Sequence, residues 1–498
     1  MGYIQKDALR TVIISYLGLI IGYVNKGLLF IWFLTAEEIG LVNLLVGVSL
    51  LFGNLSGLGS SYAVWKFFPF LRNRDKKNHG FMMLILIVTC IGIAFFSLLT
   101  LFFSEEISRY YSEKSPEFVH YYLWIIPLGI ANVLFVVLDT FLRSMYKNIV
   151  SVFVYELLLR LLITLLLVVY GLDLVSFNSF LVLHCAVYFI PVIYLGIYMH
   201  KQGEFHLSLS SVSIPKRFRK IILYFSLFSY VNTISAIIVT TIDAMMIAGM
   251  LGLGETGVYT TVIYLTSALQ IPYKSLIRVS SPVVADYWKE KNMAGMGQLY
   301  KKFSSVNLVI ATTLFLSVWI CRTEIFHLLP KAFEEGIYVF LFLMIGRLTD
   351  MYLGLNGTIF VTSKKYRYDI IFTVSLIAIV SLLNLYMIPA YGITGAAIAT
   401  CIAYLVYNLG RLLFVYFAYK LHPFERSQLY VLLLFAGTLA FFELVPIVFD
   451  IELIAVPVKW LLLGVLFLAP IYFFKMESEI VRYIDNGILF VKKKLGRS

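Results

Sequence analysis

The sequence predicts an all-α integral membrane protein of about fourteen transmembrane helices, built as two pseudo-symmetric six-helix lobes with two extra C-terminal helices. Three observations predict this class. Of the 498 residues, 60% are hydrophobic and 14% charged, against roughly a quarter charged in an ordinary soluble domain. The apolar residues fall in long runs, each near the roughly 20 residues that a helix needs to cross a bilayer core. The connections between runs alternate in charge, which sorts them onto two sides of a membrane.

In chain order the runs cover 11–33, 40–64, 81–103, 118–142, 149–170, 177–199, 221–250, 257–284, 303–320, 336–361, 370–388, 392–419, 429–449 and 454–474. The first is too long for a signal-peptide core and no small-residue cleavage site follows it, so it is expected to stay as a helix. Fourteen crossings put both termini on one side. The odd-numbered connections carry acids, among them Glu37, Glu38, Glu105, Glu106, Glu255, Glu334, Glu335 and Asp450, and only five bases: Arg109, Lys114, Arg322, Lys331 and Lys459. The other side, with the ends and tail, carries 29 bases. That asymmetry places the basic side and both termini in the cytoplasm; the excess of 40 bases over 28 acids then needs no nucleic acid as partner. Cys90, Cys185, Cys321 and Cys401 each lie in an apolar run without CxxC spacing, and are expected as buried apolar side chains.

The organisation expected is an N-lobe over 1–200, a cytoplasmic linker over 201–220, a C-lobe over 221–420, helices thirteen and fourteen over 421–474 and a basic tail over 475–498. In the tail, Ile480, Val481, Ile484, Ile488 and Leu489 recur at helical spacing before Lys492, Lys493 and Lys494. This fits either an amphipathic helix on the anionic inner surface or a solvated basic tail. A shift of 217 residues sets Glu38, Gly40 and Leu41 over Glu255, Gly257 and Val258, and a shift of 221 sets Tyr170 and Gly171 over Tyr391 and Gly392. Two units repeated in the same direction imply an axis along the membrane normal, with a cavity between them.

The segment Tyr391 to Arg411, YGITGAAIATCIAYLVYNLGR, preceded by Asn384 and Pro389, resembles the twelfth-helix signature of polysaccharide flippases in the multidrug/oligosaccharidyl-lipid/polysaccharide exporter superfamily. Glu255 to Tyr259, its N-lobe echo and Pro282 resemble the same family. The resemblance implies alternating access by two lobes in the bacterial inner membrane and a lipid-pyrophosphate-linked oligosaccharide, such as an O-antigen unit, as cargo. It also implies membrane lipids, a polysaccharide polymerase and glycosyltransferases as partners.

Six bases fall inside spans: Lys26, Arg160, Lys274, Arg278, Arg347 and Arg411. Each costs about 2.5–3.5 kcal/mol at a helix centre, so all six should face protein or water. Glu156 and Arg160 are spaced for an ion pair on one helix face, as are Arg347 and Asp350. Lys274 and Arg278 share a face of helix eight with no acid at helical spacing before Asp286, and Lys26 and Arg411 also lack a local acid. Unpaired cations suit a pyrophosphate, whose oxygens accept charge-assisted hydrogen bonds; snorkelling to the interface is the alternative, above all for Arg411. At the repeat shift Lys26 falls on Asp243. The two are expected either to bridge the lobes as an outer gate or to pair within their own lobes. Asp243, Glu156 and Asp350 are also the candidates for binding a coupling H+ or Na+. Gly53, Gly57 and Gly59 in helix two, and Pro272 and Pro282 in helix eight, mark breaks or close packing.

No GxxxxGK[ST] loop, HExxH, GxSxG or catalytic carboxylate pair occurs, so the sequence calls for no cofactor, metal or catalytic residue. Alternatives to the oligosaccharide flippase are a lipid II flippase and a multidrug or cation antiporter of the same superfamily. From another class, a membrane glycosyltransferase or polymerase would need a larger extramembrane loop than the short connections here.

Overall fold

The computed structural model describes residues 2–73, 77–203, 205, 215–445, 452–477, 479–482 and 485. Much of the expected linker and most of the expected tail, including Ile484, Ile488, Leu489 and Lys492 to Lys494, lie outside the described residues, as does Asp450. The described chain is all helical. Helix α1 runs through Gly2–Val24, a π turn at Asn25–Leu29 and Phe30–Phe33; α2 through Ala36–Ser56 and Ser60–Leu71; α3 is Phe81–Phe102 and α4 is Pro116–Ser144. Helix α5 covers Asn148–Gly171 with a π turn at Phe153–Leu158, α6 covers Phe177–Lys201 and α7 Lys216–Met250. Helix α8 is split into Leu253–Ala268 and Ile271–Glu290; α9 is Met293–Trp319; α10 is split into Gly336–Leu353 and Leu355–Thr362. Helices α11 and α12 make up Asp369–Tyr419, α13 is Arg426–Leu444, and α14 runs from Glu452–Leu463 through a π turn to Ala469–Phe473. The protein is therefore a multi-pass membrane protein with the helix order the apolar runs predict.

Local chemistry explains where these helices start and bend. Thr35 caps α2, accepting from the Glu38 backbone N–H while the Glu38 carboxylate accepts from Thr35 N at 2.8 Å, a reciprocal capping box. Helix α2 breaks where Leu58 and Gly59 take φ of 46° and 76°, a backbone region glycine adopts most easily. Gly53 serves close packing instead: an added Cβ would sit 2.9 Å from the Gly129 carbonyl of α4. Helices α11 and α12 meet at Gly392, with φ 61° and ψ −143°. Past that turn the chain doubles back, so that a Cβ on Gly395 would lie 1.9 Å from the Met387 carbonyl. The YGITG stretch is thus a one-residue reversal followed by close packing, with Ala396, Ala397 and Ala399 fully buried.

The chain divides into two compact units, Met1–Thr261 and Val262–Ser498. In the first, α1 packs on α5, and α2 on α4 and α7. Its core at one end gathers Phe67, Phe68, Phe81, Phe141 and Met199, with Phe68 edge-on to Phe141 at 4.9 Å between ring centroids. In the second, α10 packs on α12 and α9, around Tyr300, Phe303, Leu355, Phe360 and Val415.

Helices α13 and α14 are held to α9 by polar as well as apolar contacts. Trp319 Nε1 and Arg322 both donate to the Glu443 carboxylate, at 2.8 and 2.9 Å, and the Arg322 guanidinium stacks over the Trp319 ring. Lys459 corrects one expectation: it is not a loop base but lies within α14, buried, with its ammonium on the buried Glu324. At the opposite end of α9, the buried Gln428 amide donates to Ser305 Oγ and to the Pro423 carbonyl and accepts from Tyr352. The start of the tail is anchored there too, by Glu479 on Lys302 at 2.9 Å. Cys185, Cys321 and Cys401 are buried as expected, whereas Cys90 is exposed. It sits on the outward side of α3, where apolar character suits the lipid-facing surface as well as the core.

Candidate functional site

Helix α8 carries the most distinctive charges. Its break at Leu269 and Gln270 divides the expected eighth helix in two, and Lys274 and Arg278 fall in the first two turns of the second piece. The side chains of both are exposed and neither has a hydrogen bond or ion pair among the described residues. A charge inside a membrane is stable only against protein, water or the headgroup layer. The N-terminal end of a half-helix adds a favourable potential for an anion.

Around them, unit two arranges further polar groups. Arg347 donates to Gln270 Oε1 at 2.9 Å and to the Ile263 carbonyl at 3.4 Å, tying α10 to both sides of the α8 break. Asp350 accepts from Asn408 Nδ2 at 3.4 Å and lies in the field of Arg411, Arg347 and Lys274. Arg411 requires a correction: no acid lies near it in sequence, as expected, yet it is not an unpaired cation. Its Nε donates to Asp369 Oδ1 at 2.9 Å and a second guanidinium nitrogen meets the same oxygen, while Tyr407 lies beneath it at 4.2 Å. Asp369 opens α11, 42 residues earlier in the chain, and so escapes any reading by helical spacing. Arg411 is therefore a structural tie between α11 and α12.

Unit one brings together the remaining expected residues. Glu156 and Arg160 form the pair that their spacing predicts, at 2.5 Å, and Arg160 also donates to the Gly18 carbonyl of α1. Asn25 Nδ2 donates to the Arg160 carbonyl and Thr164 Oγ1 donates to Asn25 Oδ1. Lys26 and Glu156 each sit within a π turn, a distortion common at functional positions. Lys26 Nζ donates to Asn43 Oδ1 at 3.0 Å, and Asn43 Nδ2 donates to Thr260 Oγ1 at 3.1 Å. Asp243 accepts from Tyr259 at 2.7 Å. Lys26 and Asp243 thus both stand beside the junction of α2 with the start of α8.

That junction explains the repeated Glu-x-Gly motif. A Cβ on Gly40 would lie 1.9 Å from the Leu253 carbonyl, and one on Gly257 would lie 1.9 Å from the Ala36 carbonyl. The two repeat glycines face each other in a reciprocal contact, and Asn43 and Thr260 are themselves 217 residues apart, the offset of the repeat. Sequence reasoning overlooked Asn43 and Thr260, although the offset points to them. Gly40→Ala is expected to separate α2 from α8, since backbone carbonyls cannot yield to the added methyl. Disulfide trapping of an Asn43→Cys, Thr260→Cys pair should be efficient in the native background and fall several-fold when Gly40→Ala is added; unchanged trapping would contradict the close approach.

No family model and no curated protein matches the sequence. Solved structures do match in fold. The structure titled "Lipid II flippase MurJ, inward closed conformation" superposes with a TM-score of 0.71 at 14% identity, covering 91% of this chain and 97% of its own. An inward-facing multidrug resistance MATE family transporter of the MOP superfamily gives 0.65 at 15% identity, over 83% and 98%. A MOP superfamily transporter from Pyrococcus furiosus, whose title reports a binding pocket of reverse polarity that suggests a different function, gives 0.56 at 14% identity, over 84% and 96%. The fold is that of MATE and MurJ membrane transporters.

Proposed function

We propose, from this transporter fold and from the unpaired cations on α8, that the chain is a flippase for an undecaprenyl-pyrophosphate-linked oligosaccharide in the bacterial inner membrane. The observation that carries the reading is the pair Lys274 and Arg278: exposed, one turn apart, and without a hydrogen bond or ion pair among the described residues, with Asp350 the acid in the field of Lys274. Their charge suits a diphosphate, which accepts hydrogen bonds and offers none. A cationic drug would be repelled. Arg347 braces the α8 break through Gln270, keeping the basic turns in register, and Asp350 limits the local excess of positive charge. Lys26 and Arg160 supply a second basic region in unit one.

In this account the two repeats are the lobes expected over 1–200 and 221–420, and both termini are cytoplasmic, as the 29 bases on one side suggest. The pyrophosphate enters from the inner leaflet, displaces water from Lys274 and Arg278, and the lobes rock about the bound head so that it leaves toward the outer leaflet. No bond is made or broken. A proton or Na+ at Asp350, Asp243 or Glu156 would drive the return, and the polymerase and glycosyltransferases of the same polysaccharide would be the functional partners.

Lipid II is the second reading, favoured by the superposition on a lipid II flippase over 91% of this chain. Both readings share the pyrophosphate and differ in the group attached to it. The test is transport in proteoliposomes: fluorescent undecaprenyl-pyrophosphate oligosaccharide placed in one leaflet should appear in the other, chemically intact and only when the protein is present. Transfer of sugar to an acceptor, or movement of lipid II alone, would overturn the oligosaccharide reading.

A further inference from the structure

A cavity lies at the break in α2, about 130 Å³ in volume, far beyond the roughly 10–15 Å³ that a single water needs. It is lined by α2, α4 and Tyr230 of α7, all within unit one, and its polar side chains are Asn54, Ser60, Ser61, Tyr62, Asn132 and Tyr230. No charged side chain is among its described lining residues. The break creates it, because the chain turns through Leu58 and Gly59 and leaves the wall of α2 open between two helical pieces.

Several polar groups of the lining are open to a ligand. Asn132 is 5% exposed; its amide nitrogen donates to Ser49 at 3.3 Å, and its carbonyl oxygen accepts from no described residue. Asn54 repeats the pattern: its nitrogen donates to the Leu50 carbonyl at 2.8 Å, leaving its oxygen without a described partner. The Ser61 hydroxyl is likewise uncommitted. Tyr230 spends its hydroxyl proton on the Leu55 carbonyl, so its oxygen is left as an acceptor. These oxygens open onto the cavity, where they can accept hydrogen bonds from a bound group. A pyrophosphate cannot supply them, because ionised phosphate oxygens only accept. Hydroxyl and acetamido groups can, and the faces of Tyr62 and Tyr230 suit the apolar C–H face of a sugar ring.

We propose that this cavity in unit one is a carbohydrate subsite that binds the sugar nearest the pyrophosphate through Asn54, Ser61 and Asn132. This rests on the flippase reading and assigns recognition of the glycan to groups separate from the cations that hold the phosphates. The probes are undecaprenyl pyrophosphate with and without one N-acetylglucosamine, bound to the purified full chain. Asn132→Leu and Ser61→Ala are each expected to weaken the sugar-bearing lipid about tenfold, the loss of one hydrogen bond to a buried acceptor, and to leave the bare lipid unchanged. Should Asn132→Leu disturb folding, Ser61→Cys serves instead: its modification by a small water-soluble thiol reagent should be slowed by the sugar-bearing lipid and not by the bare one. Equal losses for both lipids, no loss for either, or equal protection would mean that the cavity holds only solvent, and would overturn the subsite. Failure of either lipid to bind the unaltered protein is a different signature and would defeat the flippase reading itself.

Discussion

Neutralising both cations of α8, in Lys274→Ala with Arg278→Ala, is expected to abolish measurable transport while leaving the folded protein intact. Hydrogen bonds to charged groups contribute about 1.5–3 kcal/mol each, so loss of two predicts a fall in affinity on the order of 100-fold or more. Neither side chain has a partner to lose among the described residues, so thermal stability should hold or rise as their mutual repulsion is removed. Lys274→Arg should retain most of the activity, because charge and donors persist. Transport rates in proteoliposomes and melting curves in detergent, measured on the same preparations, separate the two effects. A double variant that unfolds, or one that transports normally, would contradict the assignment.

The second large effect is on stability, at the attachment of α14. Lys459 and Glu324 are 7% and 8% exposed, and their side chains meet at 2.5 Å. Removing one partner leaves the other charge buried, which costs about 3–5 kcal/mol, whereas replacing both with apolar groups is often neutral or stabilising. Lys459→Ala should therefore lower the melting temperature sharply and loosen α14 from the second unit. Lys459→Met with Glu324→Leu should recover most of the loss. Thermal unfolding of the two single variants and the double variant checks this, and a double variant as unstable as the singles would show that the pair has a role beyond mutual compensation.

The contrast between these two sites marks what could be read from the sequence. Hydropathy and helical period delivered the helix order, because each span must satisfy its own backbone in lipid. Contacts within three or four residues were legible as well, as with Glu156 and Arg160. The repeat located Gly40 and Gly257, since a close contact repeated in two halves leaves the same small residue in both. Pairings between distant helices were not legible. Arg411 finds Asp369, and Lys459 finds Glu324 135 residues away, because those contacts depend on how each helix is rotated about its axis. Cys90 escaped for the same reason: an apolar position on a membrane helix faces lipid or core with equal ease, and composition does not distinguish them. Lys274 and Arg278 stood out by having no acid at helical spacing, and among the described residues neither gains a hydrogen bond or ion pair, although Asp350 of α10 lies in the field of Lys274.

The central claim is that the cargo is recognised by its pyrophosphate at Lys274 and Arg278. Its most direct test is equilibrium binding of undecaprenyl pyrophosphate against undecaprenol, two lipids that differ only in the charged head. The account predicts a preference for the pyrophosphate of at least about tenfold, which weakens with added salt and disappears in the double variant. Equal binding of the two lipids, or a preference that survives the loss of both cations, would contradict it.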